Sequence, residues 1–268
     1  MTDIFITVKT YPTLSYKYDE LVCTAGITND GKWVRLYPVP FRKLDLDKRY
    51  VKYQWLSIPL VRNTTDFRPE SYRIQDIDAI EQKKKVSDWN ERRQIILENA
   101  QVYTNMNILI EKAKKNELSL ATLKPTKITD FVAEETERSW SEGKLERLAA
   151  KTKQRNFLQT PEEIKKEFSI VRKVPYKFFY KFIDETGKER KLMIEDWEIG
   201  MLYWNCLQST NNEKEAISKV KKKYFDDFLK KDIYLFLGTT REFHLRSPNP
   251  FMIIGVFAPP IQNQKLLF

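Results

Sequence analysis

Residues 20–39, ELVCTAGITNDGKWVRLYPV, hold two segments of alternating apolar side chains on either side of a turn sequence. The Asp30-Gly31 pair supplies the positive φ values that a tight hairpin turn requires. Two further alternating segments, DIFITVKTY and YQWLSIPLV, lie on either side of this hairpin. We therefore predict that residues 1–62 form β structure.

The second strand of this hairpin has two different faces. Trp33, Arg35 and Tyr37 share one face because side chains alternate across a strand, while the other face is apolar. The first face combines aromatic rings with a positive charge. It can contact a ligand, or it can pack beneath a helical layer with the arginine stem covering apolar surface.

The middle of the chain changes to a helical period. Apolar side chains recur at seven-residue spacing from Trp89 to Ile110, which predicts one long amphipathic helix from about Asp88 to Glu117. Asp88 is placed to cap the N-terminus of this helix. Further along, residues 144–155 carry the densest net positive charge in the chain.

The C-terminal part contains a hairpin, two helices and two strands of almost continuous apolar character. The hairpin turns around Gly187, and the strands IYLFLGT and FMIIGVF are apolar enough to be buried on both faces. An order of strands, then helices, then mixed elements predicts an α+β fold.

These segments divide the chain into three parts. They are a β-rich N-terminal part at residues 1–75, a helical middle or insertion at residues 76–160, and an α+β C-terminal part at residues 161–268. We expect the last two strands to pair with the N-terminal strands, so that the middle part is an insertion in one composite domain. Two β-containing domains joined by helices are the alternative.

Composition favours a polyanionic partner. The chain has 47 basic and 37 acidic side chains, a formal net charge of +10 and a pI near 9.3. A lysine-rich solubilising surface explains this excess equally well. Cys23 and Cys206 are too few for a disulfide framework or a zinc site. We expect a soluble, cytoplasmic protein with no metal and no other cofactor, and without a membrane-spanning segment.

The sequence lacks the motifs of nucleotide-dependent enzymes, since it has seven glycines and neither GxGxxG nor GxxxxGK[ST]. Asp76, Asp78 and Glu81 form an acidic cluster that could hold magnesium, although acidic residues at the entry to a helix explain them as well. Together with His244 they are the candidates for a metal-dependent nuclease or another nucleic-acid-processing enzyme.

His244 is the only histidine, and its loop joins the two apolar C-terminal strands. It can act as a general base, contact a ligand, or form an ordinary part of the loop. Only Glu242 is near it in sequence as an orienting carboxylate. Arg241 and Arg246 in the same loop would contact phosphates if nucleic acid binds there.

Aromatic and basic side chains alternate in three stretches, at residues 32–43, 63–73 and 176–181. Nucleic-acid-binding proteins use this mixture because cations neutralise phosphates while aromatic rings stack on unpaired bases. The leading hypothesis is an accessory or recognition protein that binds DNA or RNA. The predicted contacts are Lys32, Trp33, Arg35, Tyr37, Arg42, Arg241, His244 and Arg246. A third hypothesis makes the aromatic surfaces protein interfaces within a larger assembly.

Overall fold

The computed structural model describes residues 1–15, 19–143, 145–146 and 171–262. These residues form two β-sheets and four α-helices, which confirms the predicted α+β class. No helix among the described residues is long and apolar enough to cross a membrane.

The first sheet has eight strands and comes entirely from the first 85 residues. Their order is β6 (Leu60–Arg62), β7 (Ser71–Ile74), β4 (Trp33–Val39), β3 (Asp19–Thr28), β1 (Thr2–Lys9), β5 (Gln54–Ile58) and β8 (Glu81–Lys85), with β2 (Thr13–Ser15) paired to β3. Neighbouring strands are antiparallel except β4 and β7, which are parallel.

The hairpin predicted around Gly31 is confirmed. Ile27 of β3 pairs with Trp33 of β4, and Gly31 adopts a φ of +77° in the turn. A Cβ atom at this glycine would lie 1.7 Å from the backbone oxygen of Asn99. Glycine is therefore required here both by the backbone conformation and by the close approach of another segment.

The second sheet has seven strands. Their order is β11 (Lys127–Glu135), β12 (Tyr176–Ile183), β13 (Glu189–Ile194), β15 (Phe251–Phe257), β14 (Tyr234–Thr239), β10 (Leu120–Leu123) and β9 (Val102–Tyr103). The hairpin predicted around Gly187 is formed by β12 and β13, and β14 pairs with β15 as two buried neighbours.

The expectation that the last two strands pair with the N-terminal strands is wrong. The strand pairing of β14 and β15 lies within the second sheet, where they pair with each other and with β10 and β13. They contact the first sheet through side chains, because Phe5 and Val8 of β1 share an apolar cluster with Phe236, Ile254 and Phe257. Their apolar character is thus explained by burial between the sheet and its neighbour.

The predicted long helix from Asp88 to Glu117 is also wrong. α1 (Trp89–Arg93) continues as one π-helical turn through Glu98, β9 follows, and only then does α2 (Met106–Lys114) begin. Asp88 caps α1 as predicted, because its Oδ1 accepts a hydrogen bond from the backbone N of Glu91 at 2.8 Å. Asn105 caps α2 in the same way, at 2.9 Å, and such capping competes with helix continuation.

The described residues of the middle part therefore supply strands to both sheets as well as α1 and α2. Two further helices, α3 (Trp197–Thr210) and α4 (Glu213–Lys221), pack with α2 around the core of the second sheet. The basic stretch at residues 144–155 lies outside the described residues apart from 145–146.

Candidate functional site

A cleft of about 490 Å³ lies between the two sheets. Side chains from both sheets line it, and four arginines stand against two carboxylates. These charged residues are Arg35, Arg68, Arg73, Arg241, Asp66 and Glu195. We call this space the arginine cleft.

Arg35 of β4 joins the two sheets at the base of the cleft. Its guanidinium donates hydrogen bonds to the Oγ of Ser119 at 2.6 Å, to the backbone O of Ser119 at 3.1 Å and to the Oγ of Ser71 at 3.3 Å. Glu70 accepts from the backbone N of Ser119 at 2.8 Å. Because Arg35 is only 1% exposed, its charge contributes to the potential of the cleft from beneath the surface.

Arg68 forms a second buried contact between the sheets. Its Nε and Nη2 donate to the two carboxylate oxygens of Asp66 at 2.9 and 2.6 Å, and its Nη1 donates to the backbone O of Thr239. Burial opposes the ionised form of Asp66, but the hydrogen bonds and charge of Arg68 outweigh it and lower the pKa of Asp66 to about 2. This pair is therefore ionised and holds β14 against the first sheet.

His244 is an anchor for the loop after β14. Its ring is fully buried, its Nδ1 lies 2.9 Å from the Oγ1 of Thr239, and its Nε2 lies 2.9 Å from the Oδ1 of Asn116. The amide nitrogen of Asn116 donates to the backbone O of Phe67 at 3.0 Å, so Oδ1 is the atom that faces His244. Nε2 therefore carries the proton and Nδ1 accepts from Thr239.

Burial lowers the pKa of His244 to about 4, and the charges of Arg68 and Arg35 act in the same direction. The imidazole is thus neutral, and both of its nitrogens are hydrogen-bonded within the protein. This arrangement leaves no free ring nitrogen to act as a base toward a ligand in the cleft.

The anchored loop presents a different set of side chains to the outside. Arg241 and Arg246 are exposed, as are Phe243 and Leu245 on either side of His244. Of these four, Arg241 lines the arginine cleft. The buried histidine therefore determines where the positive charge of this loop lies.

The mouth of the cleft combines free positive charge with an aromatic ring. Arg73 of β7 and Arg241 are exposed, and neither has a hydrogen-bond or ion-pair partner among the described residues. Tyr37 lines the same space with 36% of its surface exposed and precedes Pro38 through a cis peptide bond. The two arginines come from opposite sheets, so the cleft exists only when both sheets are in place.

The thiol of Cys23 also lines the cleft. Burial raises the pKa of this thiol, although Arg35 and Arg68 oppose the effect. The neutral thiol is therefore the favoured form, and a neutral thiol is a poor nucleophile.

Five predicted contact residues do not line the cleft, namely Lys32, Trp33, Arg42, His244 and Arg246. Lys32 is in the hairpin turn and pairs with Asp30 at 2.6 Å, while Arg42 pairs with Glu20 at 2.7 Å. The ring of Trp33 lies 5.4 Å from that of Phe236, between the two sheets.

The face of β4 that carries Trp33 and Arg35 thus packs beneath the second sheet rather than facing solvent. The sequence also allowed this face to pack beneath a helical layer. The face is indeed covered, but the covering layer is a sheet and not a set of helices. Among the three residues on the face, only Tyr37 reaches the open part of the cleft.

The acidic candidates do not form a metal site in the structure. Asp76 accepts a hydrogen bond from the backbone N of Asp78 at 2.9 Å in an exposed turn, and Glu81 begins the exposed edge strand β8. Within the described ranges, no group of three or more His, Cys, Asp or Glu side chains is placed to hold a metal ion.

Sequence reasoning missed several residues of the site. Asp66, Arg68 and Arg73 lie in the aromatic-basic stretch 63–73. The pattern marks the stretch as a whole but does not indicate which of its residues line the cleft. Asn116 and Glu195 carry no functional signal in the sequence, because each stands among other polar or charged residues next to a helix boundary.

Comparison with known proteins places the chain in a family but supplies no activity. No curated protein matches the chain. A solved structure described as "Structure of murine DNA binding protein bound with ds DNA" is 9% identical, covers 98% of this chain and 97% of that chain, and has a TM-score of 0.31, a value too low to carry an argument.

Two family models match consecutive parts of the chain. The model described as Domain of unknown function (DUF8758) matches residues 1–98, which include the whole first sheet. The model described as Domain of unknown function (DUF8757) matches residues 102–268, which include the whole second sheet. Since this second model spans more than half of the sequence, the chain belongs to the DUF8757 family.

Proposed function

We propose that the protein is a recognition protein for nucleic acid that holds the sugar-phosphate backbone across the mouth of the arginine cleft. The observation that carries this proposal is the convergence of Arg73 and Arg241, two exposed arginines without partners among the described residues, on one space between the sheets. Arginine is well suited to phosphate because its planar guanidinium can donate two parallel hydrogen bonds.

The charge below the mouth supports the same role. Arg35 and Arg68 are buried at the base of the cleft, and the carboxylate that pairs directly there is Asp66, which is bound to Arg68. Buried charge acts through a medium of lower polarity than water, so it is screened less than charge on an open surface. The cleft therefore attracts an anion more strongly than scattered surface lysines do.

The shape and the aromatic group of the cleft favour a nucleotide unit over a free anion. A volume of about 490 Å³ is within the usual size of a small-molecule site and accommodates one nucleotide. Tyr37 is placed to stack on an unpaired base, which single-stranded nucleic acids offer more readily than duplexes do. We accordingly expect tighter binding of single strands.

A recognition role fits the state of His244 better than catalysis does. Both ring nitrogens are used within the protein and the ring is buried, so His244 supports the loop that carries Arg241. We therefore propose that His244 acts on binding indirectly, by positioning the loop.

The test is binding of fluorescent single- and double-stranded oligonucleotides of DNA and RNA, followed by anisotropy across a salt series. Replacing Arg73 and Arg241 together by glutamine should weaken binding and make the slope of log K against log [salt] less steep by roughly 1.4 for single strands. The charge-matched control is Lys188→Gln with Lys214→Gln, two exposed lysines outside the cleft.

The proposal requires that the cleft variant and the control differ. Equal losses of affinity in the two double variants would show that binding follows net charge and not the cleft. Thermal unfolding of both variants checks that they remain folded, which is expected because all four side chains are exposed.

A further inference from the structure

Glu195 lies between the arginine cleft and a second space. It follows β13, and its backbone N donates to the backbone O of Ile253 at 2.7 Å. Glu195 and Thr13 line both the arginine cleft and a neighbouring cavity of about 340 Å³. These two side chains therefore form the boundary between the spaces.

The neighbouring cavity is lined mainly by aromatic and other apolar side chains. Tyr11, Trp140, Tyr176, Phe178 and Met193 are among its lining residues, and besides Glu195 its charged lining residues are Glu137, Lys173, Lys177 and Asp196. We call it the aromatic cavity. A flat heterocycle fits such a lining because aromatic rings present apolar faces of matching shape.

The carboxyl group of Glu195 has no hydrogen-bond partner among the described residues. Burial raises its pKa, and the opposing influence is the charge of Lys177. At the next residue, the Oδ1 of Asp196 accepts from the backbone N of Glu198 at 3.2 Å, and its buried Oδ2 forms an ion pair with Lys52 at 3.7 Å but no hydrogen bond. Glu195 is half-buried and lines both spaces, so its carboxyl group is accessible and available to accept a hydrogen bond from a ligand that is seated there.

We propose that Glu195 is a specificity-determining residue that accepts a hydrogen bond from the exocyclic amino group of a nucleobase seated in the aromatic cavity. This inference rests on the proposed function, because Arg73 and Arg241 hold the phosphates on the other side of the boundary. Carboxylates read the N4 amino group of cytosine in the same way in other nucleic-acid complexes.

The geometry predicts discrimination by hydrogen-bonding groups and not by size. Cytosine and uracil have almost the same shape, but cytosine carries an amino donor at the position where uracil carries a carbonyl acceptor. A carboxylate facing that position attracts the first and repels the second. Binding should therefore favour cytosine.

The experiment measures affinity for oligo(dC) and oligo(dU) of equal length at pH 7.5, and for the same pair with an RNA backbone. The wild-type protein should prefer the cytosine strand by about tenfold. Glu195→Leu should abolish this preference while leaving the salt dependence of binding unchanged, because the phosphate contacts remain. Glu195→Gln retains an acceptor oxygen and should keep part of the preference.

Two controls separate specificity from folding. Glu111→Gln removes an exposed carboxylate on α2 and should leave both affinities unchanged. Glu195→Leu should unfold at nearly the same temperature as the wild type, because the side chain is half-buried and its carboxyl group makes no hydrogen bond among the described residues.

The outcomes distinguish the two proposals. Strands that bind through Arg73 and Arg241, but with equal affinity for cytosine and uracil, overturn the role of Glu195 and leave the proposed function standing. A cytosine preference that survives in Glu195→Leu likewise overturns the role of Glu195 and leaves the proposed function standing. A protein that binds none of the four strands contradicts the proposed function, and the role of Glu195 with it.

Discussion

The neutral state of His244 leads to a prediction about stability and pH. Its pKa falls from 6.5 to about 4 on folding, because burial and the charges of Arg68 and Arg35 disfavour the imidazolium ion. Between these two pH values the unfolded chain binds a proton that the folded chain does not. The free energy of unfolding should therefore fall as the pH is lowered from 6.5 to 4.

The size of this effect follows from the pKa values. One pKa unit corresponds to about 1.4 kcal/mol, so the contribution of His244 amounts to about 3 kcal/mol that is present above pH 6.5 and lost by pH 4. Asp196 acts in the opposite direction in the same region, because burial raises its pKa. The contribution of His244 is therefore measured as a difference between the wild type and His244→Gln at each pH.

The assay is urea unfolding of both proteins from pH 4 to 8. The wild type should lose about 3 kcal/mol relative to His244→Gln over the acidic half of this range, and the difference should be constant above pH 7. Because the chain has a single histidine, NMR of the imidazole gives an independent reading without assignment. The spectrum should show the Nε2–H tautomer and no titration above pH 5.

Two results would refute this reasoning. An imidazole that titrates near pH 6.5 in the folded protein would mean that the ring is solvated. An Nδ1–H tautomer would mean that the hydrogen bonds to Thr239 and Asn116 run in the opposite direction from the one inferred, and that the loop is anchored differently.

Two further predictions concern folding stability. Asp66→Asn removes the counter-charge of the buried Arg68 and should lower the free energy of unfolding by about 3–5 kcal/mol in urea titrations, and a loss below about 1 kcal/mol would show that the pair is solvated. Gly31→Ala should destabilise the protein far more than Gly187→Ala in thermal scans, because both glycines have positive φ but only Gly31 meets backbone atoms, those of Asn99 and Ala100, within 4 Å. Equal shifts in melting temperature would mean that the close approach at Gly31 is relieved at no cost.

The sequence by itself determined the local elements. The Asp30-Gly31 turn and the turn around Gly187 were predictable because positive φ values favour glycine strongly, and both hairpins are present. Side-chain chemistry predicted the helix cap at Asp88. The almost continuous apolar character of β14 and β15 predicted that both strands are buried.

Seven-residue spacing predicted one helix from Asp88 to Glu117, but it did not reveal the break before Asn105. Apolar residues at that spacing are buried equally well by two short helices separated by a strand. The break depends on the pairing of β9 with β10, which comes later in the chain. Periodicity within a window carries no information about such a partner.

The site depended on tertiary structure for the same reason. Arg35 and Tyr37 were predicted as contacts from the pattern of β4, yet only the placement of the second sheet decided that Arg35 is buried and Tyr37 is not. Arg73 and Arg241 are 168 positions apart and meet at one cleft only because β7 and β14 belong to different sheets that face each other. Charge and composition predict a polyanionic partner, whereas the position at which that charge is concentrated is set by contacts between residues far apart in the sequence.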